Sequence, residues 1–369
     1  MEEMDKKIRA AVVGGGFGEN HIQGFQQCPE TEVVAICRRQ EELAKQLSQR
    51  YGIGRYYTDF DEMIRSKDID VVSLAVPNFL HHPMTLSALD HGKHVICEKP
   101  LALNLQQATE MAERAEQKGL VHMIVFNFRF VPAIFRMKEL IERGEVGSIR
   151  HLSFHWFTRG RGNRDSRFYW RFVRDEAGVG ALGDTGVHGI DLIHWIFGDF
   201  KKLVSHMAVH VPEHKADDDT YRETEVEDSC SFLGEMANGA QVIFHVSSVT
   251  SCDRFIRLEA CGDNGILGAQ VVSRDQDYYG TLLGGKGETS LAREIPIPER
   301  LTWEIQPGNK GITPGGMSFS RLAQQLAEGI RTGTTPSPNF FDGVKVQKVL
   351  HALATSWEER KWIDLGSFN

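Results

Sequence analysis

The chain has 369 residues, 41% of them hydrophobic and 25% charged, the balance of an ordinary globular protein long enough for two domains. With 42 basic against 50 acidic residues its formal charge is −8, so neither nucleic acid nor an anionic membrane is expected as a partner. The charged segment Met1 to Arg9 passes directly into a strand and no run of about 18 apolar residues occurs, so a cytoplasmic chain without a spanning helix is expected.

From Ile8 to about Phe128, short β-branched runs alternate with amphipathic stretches, the pattern of βαβ units and a parallel sheet. Strands are expected at Arg9 to Val13, Glu32 to Cys37, Val71 to Ala75, His94 to Cys97 and Val121 to Val125. Helices are expected at Ile22 to Gln27, Gln40 to Tyr51, Asp59 to Ser66, His81 to His91, Leu105 to Lys118 and Ala133 to Arg143. Right-handed crossovers wind such units into a doubly wound Rossmann sheet.

After Gly147 the strands lengthen and helices become scarce: Ile149 to Thr158, Lys202 to His210, Asp228 to Glu235, Ala240 to Thr250 and Arg254 to Cys261 read as strands. This predicts an α+β domain on a large, mainly antiparallel open sheet with one face covered by a few helices. Asn238-Gly239 is a hairpin signal. Thr281 to Gly316 reads as loop, and Phe319 to Arg331 and Asp342 to Arg360 as closing helices. The expected division is therefore α/β, with residues 1–128 as the doubly wound domain and 129–369 as the open-sheet α+β domain, its C-terminal helices returning near the junction. The six cysteines lack any metal-ligand spacing and read as reduced, mostly buried thiols.

Gly14, Gly16 and Gly18 follow the first strand and open a helix. Without Cβ atoms, Gly14 and Gly16 let the backbone turn tightly toward a pyrophosphate held at the helix N-terminus. The third glycine falls one place early for the usual G-x-G-x-x-G. At the end of the second strand Arg38 and Arg39 stand where an acid would bind the adenosine ribose. Guanidinium groups suit a 2′-phosphate, which favours NADP over NAD; a solvated arginine pair is the plain alternative. Pro77-Asn78 leaves the third predicted strand, with Asn78 offering an amide to the cofactor and His81 serving either function or the helix core. Glu98-Lys99-Pro100 ends the fourth, where a lysine beside a nicotinamide can exchange a proton.

Gly14 to Gly18, Pro77-Asn78 with His81, Glu98-Lys99-Pro100, Asn127 with Arg129, and Asp184-Thr185-Gly186-Val187-His188 occur in the order and spacing of the glucose-fructose oxidoreductase, inositol dehydrogenase and rhizopine catabolism (Gfo/Idh/MocA) family, which the chain resembles from Ile8 to about Leu365; the shortened glycine spacing and Arg38 in place of an acid depart from that pattern. The resemblance implies a Rossmann domain followed by an open-sheet domain that supplies substrate pocket and oligomer contact, with Lys99, Asp184 and His188 as catalytic residues. Cofactor contacts are expected from Gly14, Gly16, Phe17, Gly18, Arg38, Arg39, Pro77, Asn78, His81, Glu98, Lys99 and Asn127. Substrate contacts are expected from Lys99, Arg129, Trp170, Asp184 and His188. Asn127 and Arg129 can equally form an interdomain structural pair, and for Trp170 core packing is the leading single explanation.

The residues carry their own argument. Asp184 and His188 are four apart, so on a helix they share a face and the carboxylate can orient the imidazole, a general base suited to neutral pH. Lys99 then donates to the same substrate oxygen, although the two roles can be exchanged. Asp191, one turn on, binds a substrate hydroxyl or makes a buried hydrogen bond. The run Arg159, Arg161, Arg164, Arg167, Arg171, Arg174 reads as recognition of an anionic sugar, as a partner for the acids from Asp217 to Asp228 across a subunit contact, or as a solvated loop. The expected activity is an NAD(P)-dependent dehydrogenase or reductase acting on a secondary alcohol of a sugar or inositol-like polyol, as a homodimer or homotetramer. A redox-neutral NAD-dependent glycosidase and a noncatalytic dinucleotide-binding regulator are the alternatives.

Overall fold

The computed structural model describes residues 6–272, 279–302 and 312–368. The chain forms two compact units, Met1–Asn127 with Trp303–Val344, and Phe128–Thr302 with Lys345–Asn369. The sequence predicts that everything beyond residue 128 lies in the second; Trp303–Val344 groups with the first.

In the first unit, β1 (Ile8–Gly14), β2 (Thr31–Cys37), β3 (Arg55–Tyr57), β4 (Val71–Ala75), β5 (His94–Cys97) and β6 (His122–Ile124) form one parallel sheet in the order β3-β2-β1-β4-β5-β6. This is the doubly wound arrangement, with its change of winding direction between β1 and β4. Ala10, Ala11, Val12, Val71, Val72 and Leu74 are fully buried on these central strands. Each Val or Leu so buried contributes about 1.5–3 kcal/mol. The helix Leu105–Lys118 has the predicted limits because its ends are chemically marked: Asn104 accepts a hydrogen bond from the Gln107 N–H, and Gly119 closes it in the left-handed region. The first helix starts at Phe17 rather than Ile22, since Gly16, at φ 62°, turns the chain straight from β1 into it.

The second unit contains β7 (Ile149–Thr158), β8 (Phe200–Ala208), β9 (Glu213–Lys215), β10 (Tyr221–Glu223), β11 (Ser229–Met236), β12 (Gln241–Ser247), β13 (Arg254–Gly262), β14 (Gly265–Val272), β15 (Thr281–Lys286), β16 (Glu294–Ile295) and β17 (Ile363–Asp364). Nine of these make a sheet in the order β16-β15-β14-β13-β7-β12-β11-β8-β17, antiparallel except between β7 and β12, while β9 and β10 pair separately. Asn238-Gly239 makes the β11–β12 turn, with Gly239 at φ 88°.

One expectation fails here. Thr281 to Gly316 is not simply loop: β15 pairs with β14, and a helix begins at Pro314, while residues 303–311 lie outside the described residues. Gly284 and Gly285 hide this strand from a reading based on propensity, yet a Cβ on Gly284 would stand 2.0 Å from the Ile266 carbonyl oxygen, so the close pairing requires the glycine.

Alternation along β7 sets the sheet's covered face. Leu152, Phe154 and Trp156 are buried, and the helix Val187–Phe197 lies against them through Gly189, where a Cβ would meet the Phe154 ring at 2.3 Å. On β11 and β12, Leu233 and Ile243 stand directly opposite each other, 50% and 55% exposed. Four of the six thiols are buried and none is in a disulfide. No helix among the described residues is long and apolar enough to cross a membrane.

Candidate active site

The glycine turn is built for close approach. Gly14 has φ 112°, and a Cβ there would fall 2.0 Å from the Ala75 carbonyl oxygen on β4; Gly16 has φ 62° with open space above it. A Cβ on Gly18 would make only ordinary contacts, with Ala75 and Val12 at 3.5 Å, so packing at this early third position does not by itself demand glycine. The helix that follows has no side-chain cap on its N-terminus, and the positive end of its dipole favours an anion there. Gly15 lies under the Arg38 guanidinium, whose Nη1 would be 2.6 Å from a Cβ at that position. Arg38 is thus folded over the turn, whereas Arg39 is exposed. A glycine cradle, a helix N-terminus and a cation at the end of β2 fit a dinucleotide.

The other expected cofactor positions differ in kind. Phe17 is exposed, with the Lys99 ammonium 6.0 Å from its ring centroid. Pro77 precedes the helix Asn78–Asp90, which Asn78 opens as a buried residue. His81 is no surface ligand: it is fully buried, with Nδ1 2.8 Å from the Pro100 carbonyl oxygen and Nε2 3.0 Å from that of Val76. Burial pushes its proton affinity down, against the two carbonyls, which raise it. His81 braces the two loops that present Asn78 and Lys99. Asn127 donates its side-chain amide to Ser318 Oγ at 3.0 Å.

Lys99 stands just past β5, before a cis peptide bond to Pro100. Behind it, Glu98 Oε2 accepts the Lys99 backbone N–H at 3.1 Å, and Glu98 Oε1 is 3.1 Å from His21 Nε2. His21 Nδ1 is 2.8 Å from Ser73 Oγ. Neither His21 nor Ser73 is among the functional residues expected from the sequence. The available signal was a histidine on the inward face of the first helix, three residues after Gly18.

In the second unit, Asp184 sits in a π-helical turn, Leu182–Gly186, that runs into the helix Val187–Phe197 carrying His188. The four-residue spacing predicts a shared helix face, and the structure places a π-helical turn under its first member. The wider turn is a feature frequently found at functional sites. It is pinned from outside by Glu227, a buried carboxylate that accepts the Gly180 and Leu182 N–H groups at 2.8 and 2.9 Å. Burial raises Glu227's proton affinity. The His188 ring is buried beside Phe128 and Trp156, with centroid distances of 4.7 and 5.6 Å.

Two guanidinium groups flank Asp184: Arg161 Nη2 lies 3.9 Å from Oδ2 and Arg171 Nε 3.9 Å from Oδ1. Asp184 is 34% exposed in its side chain, Arg161 only 4%. Three further arginines of the basic run pair with acids of the same chain, Arg159 with Asp253, Arg164 with Glu213 and Arg167 with Asp217, while Arg174 donates its backbone N–H to the Glu225 carboxylate and its guanidinium to the Glu225 carbonyl oxygen. Pairing of that run with the acidic stretch is therefore intramolecular at Asp217. Trp170 is half-buried, with the Arg171 guanidinium 4.6 Å from its ring centroid. Arg129, expected to touch substrate, is instead buried and bidentate on Asp191, at 2.8 and 2.5 Å.

Residues 8–126 match the family model described as an oxidoreductase family with an NAD-binding Rossmann fold, and residues 134–268 match that of the Gfo/Idh/MocA C-terminal domain. The chain is 26% identical to levoglucosan dehydrogenase of Pseudarthrobacter phenanthrenivorans, covering 98% of each chain. It is 30% identical to glucose-6-phosphate 3-dehydrogenase of Bacillus subtilis over 94% of each. A structure of levoglucosan dehydrogenase with NADH and L-sorbose superposes with a TM-score of 0.88 over 98% of this chain and 99% of that one. The chain belongs to the Gfo/Idh/MocA family of oxidoreductases with an NAD-binding Rossmann domain.

Proposed function

We propose that this enzyme is an NAD(P)-dependent dehydrogenase or reductase acting on a secondary alcohol or ketone of a sugar or inositol-like polyol. The observation that carries the reading is end-to-end similarity to levoglucosan dehydrogenase, whose structures hold NADH with sugars, in a chain that has Lys99 just past β5 and the Asp184 and His188 pair at the start of one helix. When bound, the nicotinamide supplies the hydride chemistry. Gly14, Gly16, Gly18 and Asn78 bind and orient the cofactor. Arg38, folded over the glycine turn, favours the 2′-phosphate of NADP. His188 takes the proton from the substrate hydroxyl, with Asp184, kept between two cations, as its electrostatic partner, and Lys99 donates to the same oxygen. Trp170 offers an apolar face to the sugar ring. The exposed pair Leu233 and Ile243 supports a homo-oligomer formed through the open sheet face, and the composition supports a cytoplasmic site of action.

The test is a panel of levoglucosan, glucose 6-phosphate, glucosides and inositols followed at the nicotinamide absorbance with NAD and with NADP. Lys99→Ala and His188→Ala are each expected to lower kcat by roughly 10²–10⁴-fold. Near-full turnover in both sinks the assignment. Cleavage of a glycoside without net absorbance change would replace it with redox-neutral hydrolysis.

A further inference from the structure

Lys99 stands on a turn that has its own internal support, and every part of that support lies in the first unit. The His21 ring is fully buried and stacked on Phe319, at 4.1 Å between centroids and 20° between planes, so its orientation is fixed by packing. Its two nitrogens then face two polar groups from different strands: Ser73 on β4 at 2.8 Å and Glu98, just past β5, at 3.1 Å. An ionised carboxylate only accepts hydrogen bonds, so Nε2 carries the hydrogen toward Glu98. With Nε2 so engaged, Nδ1 is the nitrogen left to the Ser73 hydroxyl. The other Glu98 oxygen takes the Lys99 backbone N–H. The chain of bonds runs Ser73, His21, Glu98, Lys99, and it terminates at the residue whose amine must be placed to within a fraction of an ångström.

We propose that His21 is a positioning residue, which acts through Glu98 to set the placement of Lys99. The proposal rests on the reading of Lys99 as the proton-handling lysine. Ser73, fully buried at the far end, has no access to substrate and serves to fix the ring's tautomer. Glu98 thereby acts as a clamp between a helix and the Lys99 main chain. Phe319 comes from the segment that returns to this unit after the second one, so that returning helix completes the support.

The experiment uses the full chain and three variants, His21→Leu, His21→Gln and Lys99→Ala, assayed on whichever sugar of the panel above turns over, with cofactor affinity and thermal melting measured beside. A misplaced catalytic group costs roughly 10²-fold in rate, so His21→Leu is expected to lose about that in kcat while the sugar KM and NAD affinity stay within about 3-fold. His21→Gln, whose amide N–H can reach Glu98, is expected to restore most of it. Imidazole ¹⁵N spectra of the cofactor-free protein supply a readout independent of turnover, with His21 expected to carry hydrogen on Nε2. A ring protonated on Nδ1 alone overturns the proposal, as does full kcat in His21→Leu when Lys99→Ala is inactive. Equal losses of melting temperature, cofactor affinity and kcat in both His21 variants would assign it a purely structural role and also overturn it. Full turnover in Lys99→Ala would remove the underlying reading and the proposal with it.

Discussion

Arg129 and Asp191 form a bidentate ion pair with both side chains only 2% exposed, and the Arg129 guanidinium also lies 5.4 Å from the Trp195 ring centroid. The pair ties the 3₁₀ turn Asn127–Phe130 to the helix that carries His188, one turn away. Removing one partner leaves a buried charge uncompensated. Asp191→Ala is expected to cost about 3–5 kcal/mol in urea unfolding, whereas the joint replacement Arg129→Met with Asp191→Leu costs far less. Single and joint losses of equal size would show that the pair does not act as a unit.

Cofactor choice turns on Arg38. A hydrogen-bonded cation facing a phosphate contributes about 1.5–3 kcal/mol, so Arg38→Ala should weaken NADP about 10–100-fold. NAD affinity should change little. Calorimetric titration with both coenzymes decides it, and wild-type catalytic efficiency with NAD equal to or above that with NADP would refute the preference.

Gly14→Ala tests the cradle. The new methyl group meets the Ala75 carbonyl oxygen at 2.0 Å on a backbone at φ 112°. The dihedral strain alone is about 1–3 kcal/mol, and β1 must move away from β4 to relieve the clash. Loss of measurable NAD binding with a lowered melting temperature is expected; unchanged binding would mean that the turn relaxes freely.

Acid sensitivity should include a contribution from His122. Its ring is buried against Phe340, accepts the Phe340 N–H on Nδ1 at 3.1 Å, and is pushed by burial down to about 4. The unfolded chain therefore binds the proton first. The contribution to stability is complete above pH of about 6.5, falls as the pH drops from there toward 4, and totals about 3 kcal/mol. Half-buried His94 shifts in the same direction, through desolvation, and adds to the slope. His122→Gln, which keeps an acceptor, should flatten the stability profile between pH 6.5 and 4; an unchanged slope would assign the loss to other groups.

Much of this protein is legible in its sequence, for a physical reason. Apolar periodicity and the residues that stop it are local, so β1, β4 and β5, the helix Leu105–Lys118 and the Asn238-Gly239 turn are written in contiguous stretches. The motifs around Gly14, Lys99 and His188 are likewise contiguous, and family membership follows from them. Tertiary structure alone decided what depends on partners distant in the chain. It made a strand of the glycine-rich segment Thr281–Lys286 by pairing it with β14. It turned Arg129 from a ligand of substrate into the counter-ion of Asp191, 62 residues away, and His81 into a brace between two carbonyls. It also placed a histidine of the first helix against the carboxylate next to Lys99, 77 residues on. A side chain's hydrogen-bond partner is set by where the folded backbone brings a complementary group, and no spacing along one segment encodes that.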